Sequence, residues 1–165
     1  MGSNLSTLVF QPPEVTYLQA KKHLVWLQTS KNATIPAFFI DRKAKVTILF
    51  SHGNAEDLGM IYEWFYELSQ EVRVNVLAYD YEGYGKSNGR PSEQGCYDDI
   101  DAAYAFLTLT LRTPPEQIVL YGRSVGSGPS CYLAERLHKE QVTLGGLILQ
   151  VRTEPAQFLL PSISL

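Results

Sequence analysis

A chain of 165 residues that is 45% hydrophobic and 12% aromatic is long enough for one globular domain with a buried core, which excludes disordered and fibrous classes. Its net charge of −3 and its scattered lysines and arginines give no basic patch, so we expect no nucleic-acid partner. The two cysteines are too few for a disulfide framework or a zinc site, so we predict a reducing, cytoplasmic compartment with neither metal nor cofactor.

The N-terminus carries a short lipidation pattern. Residues Met1 to Ser6 match M-G-x-x-x-[ST], which would place a myristoyl chain on Gly2 and give weak membrane attachment. A chance match is the alternative, and no nearby cysteine or basic run supplies the second signal that stable anchoring needs. No apolar run approaches the ~18 residues of a membrane-spanning helix, so any membrane contact is predicted to be peripheral, at the cytoplasmic face. Residues 1–20, with Pro12 and Pro13, are expected to be an extended lead-in.

The predicted domain begins with three strands. Residues His23 to Thr29 and Thr34 to Ile40 have strand composition and are separated by a Lys-Asn turn, which predicts an antiparallel hairpin. The run Val46 to Phe50 is β-branched and apolar throughout, as expected for a strand buried on both faces. It is followed by the segment Ser51-His52-Gly53-Asn54, which we call the 51–54 loop.

A helix and a second buried strand follow this loop. Apolar residues recur at helical spacing from Leu58 to Leu68, and either Asn54 or Asp57 can cap the first turn. The next strand is predicted from Val72 to Tyr79, and it ends at Asp80.

Glycines and a further helix come next. The loop after Asp80 could indicate a dinucleotide site, but its glycines have the spacing G-x-G-x-x-x-G rather than G-x-G-x-x-G. No helix starts directly after the strand, so we do not predict a nucleotide. An apolar stripe then predicts a helix from Ser92 to Leu111, which the Pro114-Pro115 pair separates from the next strand. Cys96 and Cys131 lie in helix-like segments and are interpreted as small buried residues.

The following apolar strand breaks at G-x-S-x-G, the sequence Gly122-Arg123-Ser124-Val125-Gly126. A serine hydroxyl becomes a useful nucleophile on a tight strand-to-helix turn, where a base can reach it and N–H groups face the developing oxyanion. Pro129 is tolerated only in the first turn of a helix, which predicts that the helix starts directly after Ser124. We interpret the segment as a nucleophile elbow with Ser124 as nucleophile. The alternative is that five small residues only form a turn.

Strands that alternate with helices predict an α/β fold, with a mostly parallel sheet in the middle of three layers and the chemistry at the carboxyl ends of the strands. A last strand is predicted from Gly146 to Leu149. Because the 51–54 loop and the elbow both follow such strands, the backbone N–H groups of Asn54 and Val125 are predicted to form an oxyanion hole. The His52 side chain is interpreted as a hydrogen-bonded structural histidine.

Four blocks of sequence follow one another along the chain. They are S-H-G-N-A-E-D-L-G at Ser51 to Gly59, Y-D-Y-E-G-Y-G-K-S-N-G-R-P-S-E at Tyr79 to Glu93, D-I-D-A-A-Y at Asp99 to Tyr104, and L-Y-G-R-S-V-G-S-G at Leu120 to Gly128. Together they resemble the alpha/beta hydrolase domain-containing protein 17 family. The resemblance implies the α/β-hydrolase fold and a serine hydrolase that removes palmitoyl groups from membrane-bound proteins, hence thioester or ester hydrolysis on an acylated protein substrate. The family's cysteine-rich, palmitoylated N-terminus does not carry over, since no cysteine precedes Cys96.

The catalytic triad is the main departure from this pattern. In the fold, an acid and then a histidine follow the serine along the chain. After Ser124 there is no aspartate, and the one later histidine, His138, is ~20 Å along the predicted helix at ~1.5 Å per residue. Glu154 would be an acid without a base, and His52 on the neighbouring strand would lack an orienting acid. We therefore expect the catalytic histidine and aspartate to be absent from this chain and activity to be impaired.

The resemblance ends at about Gln150, which predicts a chain truncated before the last strands and helices of the fold. Residues 21–150 would then be the N-terminal part of an α/β-hydrolase domain, residues 151–165 a divergent tail, and Leu147 to Leu149 an uncovered apolar edge strand. Three hypotheses follow: a serine hydrolase whose base and acid lie outside this chain, a non-catalytic isoform or fragment that binds an acyl chain or a partner, and a product that does not fold stably.

Overall fold

Six strands form one mixed sheet in the computed structural model, which describes residues 10–17 and 23–151. The strands are β1 Leu24–Gln28, β2 Thr34–Ile40, β3 Thr47–Ser51, β4 Asn75–Tyr79, β5 Ile118–Arg123 and β6 Gly146–Gln150. Their order in the sheet is β1-β2-β4-β3-β5-β6. β2 is antiparallel to β1 and β4, and the pairings among β4, β3, β5 and β6 are parallel. The predicted hairpin and mostly parallel sheet are confirmed.

Within residues 23–151, three α-helices cover this sheet and complete the predicted three layers: α1 Leu58–Glu71, α2 Glu93–Ala105 and α3 Ser127–Lys139. On one face α1 packs against alternate residues of β2, β4 and β3, among them Phe50 and Ala78. On the other face α2 and α3 pack against the intervening residues, among them Leu49 and Leu77. All five residues of β3 and of β4 are buried, as expected for strands that are covered on both sides.

One predicted boundary is wrong, and it lies at a helix end. β4 begins at Asn75 rather than at Val72, because the Val72 N–H donates to the Leu68 carbonyl (3.0 Å) and closes the last turn of α1. The helix predicted from Ser92 to Leu111 is present: α2 ends at Ala105, and one π-helical turn, Phe106–Thr110, continues it to within one residue of the predicted end. An apolar run by itself does not separate the end of a helix from the start of a strand.

Side-chain positions on the helices settle two further predictions. The Asp57 carboxylate accepts from the Met60 N–H (3.1 Å), so Asp57 caps α1 and Asn54 does not. Cys96 is buried in α2 as predicted, whereas Cys131 is exposed, contrary to the prediction. α3 turns Leu133 toward the sheet, and residue 131 lies about 200° away around the helix, on the solvent side.

β6 is an edge strand of the sheet that residues 23–151 form. It pairs in parallel with β5, but Leu147, Ile148 and Leu149 are 42%, 46% and 44% exposed. Half-exposed apolar side chains on consecutive residues mean that both faces of β6 meet solvent, since side chains alternate between faces along a strand. This agrees with the apolar edge strand expected from the sequence.

Several predictions concern residues outside the described ranges. Gly2 and Glu154 are among these residues, so the structure does not report on lipidation or on an acid at position 154. The domain boundaries predicted at residues 20/21 and 150/151 also stay predictions. None of the helices in the described ranges has the length and apolar character needed to cross a membrane.

Candidate active site

The predicted elbow lies where β5 meets α3. β5 runs to Arg123, one 3₁₀ turn spans Ser124–Gly126, and α3 starts at Ser127. Ser124 has a φ of 52°, in the left-handed region that residues with a side chain rarely adopt, and its side chain is exposed. Strained backbone of this kind persists only where its surroundings enforce it, and it is concentrated at functional sites. The turn therefore presents the Ser124 hydroxyl as a nucleophile elbow would.

Two motif glycines allow this turn because the chain passes very close to other backbone. A Cβ on Gly126 would lie 2.1 Å from the Ser51 carbonyl oxygen, at the end of β3. A Cβ on Gly122 would lie 2.5 Å from the Gly126 carbonyl oxygen. By contrast, a Cβ on Gly128 would meet nothing within 4 Å. The G-x-S-x-G spacing is thus required by contacts, whereas the next glycine is not.

A cavity of about 300 Å³ lies beside Ser124. Its lining residues are Gly53, Asn54, Glu56, Arg123, Ser124 and Gln150. Parallel pairing aligns Ser51 with Gly122, so the 51–54 loop and the elbow leave the sheet at the same edge. The structure thereby brings Ser124 and Asn54 together as predicted. Val125 directly follows Ser124 and packs, partly buried, against the core, and the oxyanion roles of Val125 and Asn54 stay predictions.

The three histidines of the chain all lie within the described residues, and none of them lines the cavity beside Ser124. His52 is fully buried; its Nδ1 donates to the Gly53 carbonyl (2.8 Å), and its Nε2 lies 3.4 Å from Asp80 Oδ1. His23 contacts the Tyr62 hydroxyl (2.6 Å), and His138 is exposed near the end of α3. The interpretation of His52 as a structural histidine is confirmed.

Tyrosines from the loop after β4 hold the 51–54 loop in place. The Tyr81 hydroxyl donates to the His52 carbonyl (2.7 Å), and the two rings are 4.3 Å apart. The Tyr84 hydroxyl donates to Asn54 Oδ1 (2.7 Å), which also accepts from the Gln11 N–H (2.8 Å). The glycine-containing loop that could have indicated a nucleotide therefore supports the 51–54 loop beside Ser124.

Two buried aspartates attach the N-terminal segment, residues 10–17, to the start of α1. Asp57 accepts from the Thr16 N–H (2.7 Å) as well as from the Thr16 hydroxyl. Asp80 accepts from the Leu58 N–H (2.9 Å) and from the Tyr17 hydroxyl. Burial, together with the adjacent Asp80 carboxylate, raises the pKa of Tyr17, so this hydroxyl keeps its proton and donates it. Both aspartates therefore serve the scaffold around the site.

An ion pair crosses the cavity. Arg123 Nη1 donates to Glu56 Oε1 (2.9 Å), and the other Glu56 oxygen accepts from the Gly53 N–H (2.7 Å). Arg123 Nε donates to Gln150 Oε1 (3.1 Å), which also accepts from the Tyr121 hydroxyl (2.7 Å). Arg123, Glu56 and Gln150 were not singled out from the sequence. Arg123 and Glu56 do lie inside two of the blocks that carry the family resemblance, which is the one signal that could have found them.

The comparison with protein families assigns the fold. A family model described as the alpha/beta hydrolase fold matches residues 46–145. The chain belongs to the alpha/beta hydrolase family. Alpha/beta hydrolase domain-containing protein 17B of Xenopus tropicalis is 35% identical over 171 residues, covering 87% of this chain and 59% of the relative. Protein 17C of Mus musculus is 45% identical over 101 residues, covering 61% of this chain and 32% of the relative.

These relatives confirm the resemblance that the four sequence blocks predicted. This chain spans about 59% of the length of the 17B relative. Among solved structures, an alpha-beta hydrolase from Vibrio vulnificus matches with a TM-score of 0.69 at 25% identity, over 76% of this chain and 43% of that one. The esterase Pf2001 of Pyrococcus furiosus matches with a TM-score of 0.64 at 22% identity, over 77% and 53%. The esterase supports the fold alone. No group of three or more His, Cys, Asp and Glu side chains in the described ranges is arranged to hold a metal ion.

Proposed function

We propose that this chain is a serine hydrolase that cleaves acyl esters or thioesters, with Ser124 as its nucleophile. The observation that carries the proposal is the strained, exposed turn at Ser124, which opens onto the same cavity as the 51–54 loop. Other described residues with a side chain, such as Arg112 and Gln141, also have a positive φ, so the exposed hydroxyl and the adjoining cavity are what distinguish Ser124.

The proposed reaction follows from this geometry. Ser124 Oγ attacks the acyl carbonyl carbon, and the N–H groups of Val125 and Asn54 donate to the oxyanion that forms. The intermediate collapses to an acyl-serine and releases a thiol or an alcohol, and water then hydrolyses the acyl-serine. A base must take the Ser124 proton and an acid must orient that base. We propose that both come from outside this chain, since His23 and His52 contact other groups and His138 lies exposed near the end of α3.

The proposed substrate is an acylated protein, with a palmitoyl thioester as the favoured acyl group. Similarity to alpha/beta hydrolase domain-containing proteins 17B and 17C supports this choice. We further propose a cytoplasmic location with peripheral membrane contact through a myristoyl group on Gly2. Mass spectrometry of the N-terminal peptide from a native host tests the modification, and an unmodified Gly2 would contradict it.

A fluorophosphonate probe tests the nucleophile. We expect the folded protein to be labelled and Ser124→Ala to abolish labelling, while Ser127→Ala, three residues away at the start of α3, keeps it. Labelling that persists in Ser124→Ala would contradict the proposal. A folded monomer that the probe does not label would also contradict it and would leave a binding role for the fold. We expect turnover of acyl esters to be orders of magnitude below that of a complete triad, because oxyanion and binding contributions alone remain.

A further inference from the structure

We infer that Arg123 is a positioning residue that holds the 51–54 loop in the geometry the oxyanion needs. The inference rests on the proposed function of Ser124. Arg123 precedes the nucleophile, and Gly53 precedes Asn54, one of the two proposed oxyanion donors. Glu56 joins them, because one carboxylate oxygen accepts from Arg123 Nη1 (2.9 Å) and the other accepts from the Gly53 N–H (2.7 Å).

The Arg123 guanidinium is itself fixed on several sides. Its Nε donates to Gln150 Oε1 (3.1 Å), and its central carbon lies 5.2 Å from the Phe50 ring centre and 5.4 Å from the Trp64 ring centre. The side chains of Arg123 and Glu56 are each 23% exposed, so solvent screens this pair less than a fully exposed one. A planar guanidinium can hold the carboxylate, the amide and the two rings together, which an ammonium group does less well.

The link has two consequences for a reaction at Ser124. An oxyanion hole works because its donors are in position before charge develops, and the Glu56 bond fixes the peptide group next to Asn54. In addition, Glu56 brings a negative charge into the cavity where the oxyanion forms, and Arg123 balances that charge. Removal of Arg123 therefore loosens the loop and leaves a carboxylate that opposes the oxyanion, whereas removal of the Glu56 charge loosens the loop but leaves the Arg123 charge, which favours the oxyanion.

This asymmetry gives the first test, the rate of fluorophosphonate labelling of Ser124 in the full chain. We expect Arg123→Gln to lower the maximal labelling rate about 10-fold with little change in the probe's binding constant, since the loss of a whole oxyanion donor costs about 10²–10³-fold. Glu56→Gln should lower the rate less, and the double variant should label no more slowly than Arg123→Gln. Arg123→Lys, which keeps the charge, should fall between wild type and Arg123→Gln.

The matched control is Arg136→Gln in α3. Arg136 also contacts two carboxylates, those of Asp101 (2.9 Å) and Glu140 (2.9 Å), but it does not line the cavity. We expect this variant to be labelled at the wild-type rate. Thermal unfolding of each variant shows that it is folded under the labelling conditions. If Arg123→Gln does not fold, Arg123→Lys still tests the role of the arginine.

Amide hydrogen exchange of Gly53 gives a second test that does not depend on catalysis. Exchange should be faster in Arg123→Gln and Glu56→Gln than in wild type, and unchanged in Arg136→Gln. Labelling and exchange that are both unchanged in Arg123→Gln would overturn the inference, and so would labelling that slows equally in Arg136→Gln. If wild-type Ser124 is not labelled at all, the proposed function fails instead, and unchanged Gly53 exchange in Arg123→Gln would overturn the inference separately.

Discussion

β4 and β6 are parallel strands of one sheet with similar apolar sequences, yet their surroundings differ. Every residue of β4 is buried, with Leu77 on one face and Ala78 on the other, whereas Leu147 to Leu149 of β6 are each more than 40% exposed. Apolar composition therefore predicts a strand but not its burial, which depends on the layers that cover it. Ser124 lies between the two environments, since β5 pairs with β3 on one side and with β6 on the other.

The largest expected effect is at the contact between the elbow and β3. Gly126→Ala should destabilise the protein by more than ~3 kcal/mol or prevent folding, because its Cβ would meet the Ser51 carbonyl 2.1 Å away and backbone cannot easily shift. Gly128→Ala, which meets nothing within 4 Å and lies in a helix, should stabilise by up to ~1 kcal/mol. Urea unfolding measures both. Similar midpoints for the two variants would show that the elbow does not depend on this contact.

The next largest effect is a difference in stability loss when leucine is replaced by alanine in β4 and in β6. Leu77→Ala should lower the free energy of unfolding by about 2–5 kcal/mol, because it leaves a cavity at a fully buried position. Leu149→Ala removes the same atoms from a side chain that is 44% exposed, and it should lower stability by less than ~1.5 kcal/mol. Denaturant titrations at one pH give both values. Equal losses would mean that β6 is covered in solution.

A smaller effect concerns pH on the buried side of the sheet. Asp99 of α2 is buried, one of its oxygens accepts from the Glu82 N–H (2.9 Å), and the other has no hydrogen-bond partner within the described residues. Burial raises the pKa of Asp99 to about 8, with the Glu82 carboxylate adding to the shift.

The sign of the pH dependence follows from this shift. Between pH 4 and pH 8 the folded protein keeps the Asp99 proton and the unfolded chain releases it, so stability should fall as the pH rises through this window. We expect Asp99→Asn to remove most of this fall, while Asp101→Asn, in α2 beside Arg136 of α3, keeps it. Unfolding midpoints measured from pH 4 to pH 9 test this, and parallel curves for wild type and Asp99→Asn would contradict it.

The smallest effect is on thiol reactivity. Cys131 is exposed and should react with a thiol reagent in the folded protein without loss of stability. Cys96 is buried, and burial raises its pKa, so it should react only after unfolding. Counting modified thiols by mass spectrometry before and after denaturation should give one and then two. Rapid modification of Cys96 in the folded state would show that α2 opens readily.

The sequence predicted the elements whose signals are local. G-x-S-x-G places its glycines two residues from Ser124, and the structure shows why both are required. The strands and helices were also predictable from the sequence, because burial on one or two faces leaves a periodic pattern of apolar residues along the chain. An error arose at Val72, an apolar residue at the end of α1, because the hydrogen bond that decides the boundary cannot be inferred from composition.

Contacts between distant segments were not predictable. Arg123 and Glu56 are 67 residues apart, and their ion pair depends on how β3 and β5 align in the sheet. The attachment of Tyr17 to Asp80 spans 63 residues and joins the N-terminal segment to the end of β4. Neither pair leaves a periodic signal, and charged residues are more often solvated than paired. The polar framework around Ser124 is therefore a product of the tertiary structure.

The hydrogen bond between Gln11 and Asn54 also limits how far a lipid on Gly2 can lie from Ser124. Gln11 donates to a side chain that lines the Ser124 cavity, so the chain that leads back to Gly2 starts at the rim of the proposed active site. Gln11 comes nine positions after Gly2, and even a fully extended chain over nine steps reaches roughly 30 Å. A lipid on Gly2 would therefore act as a short tether, and it would restrict Ser124 to acyl groups displayed close to the membrane surface.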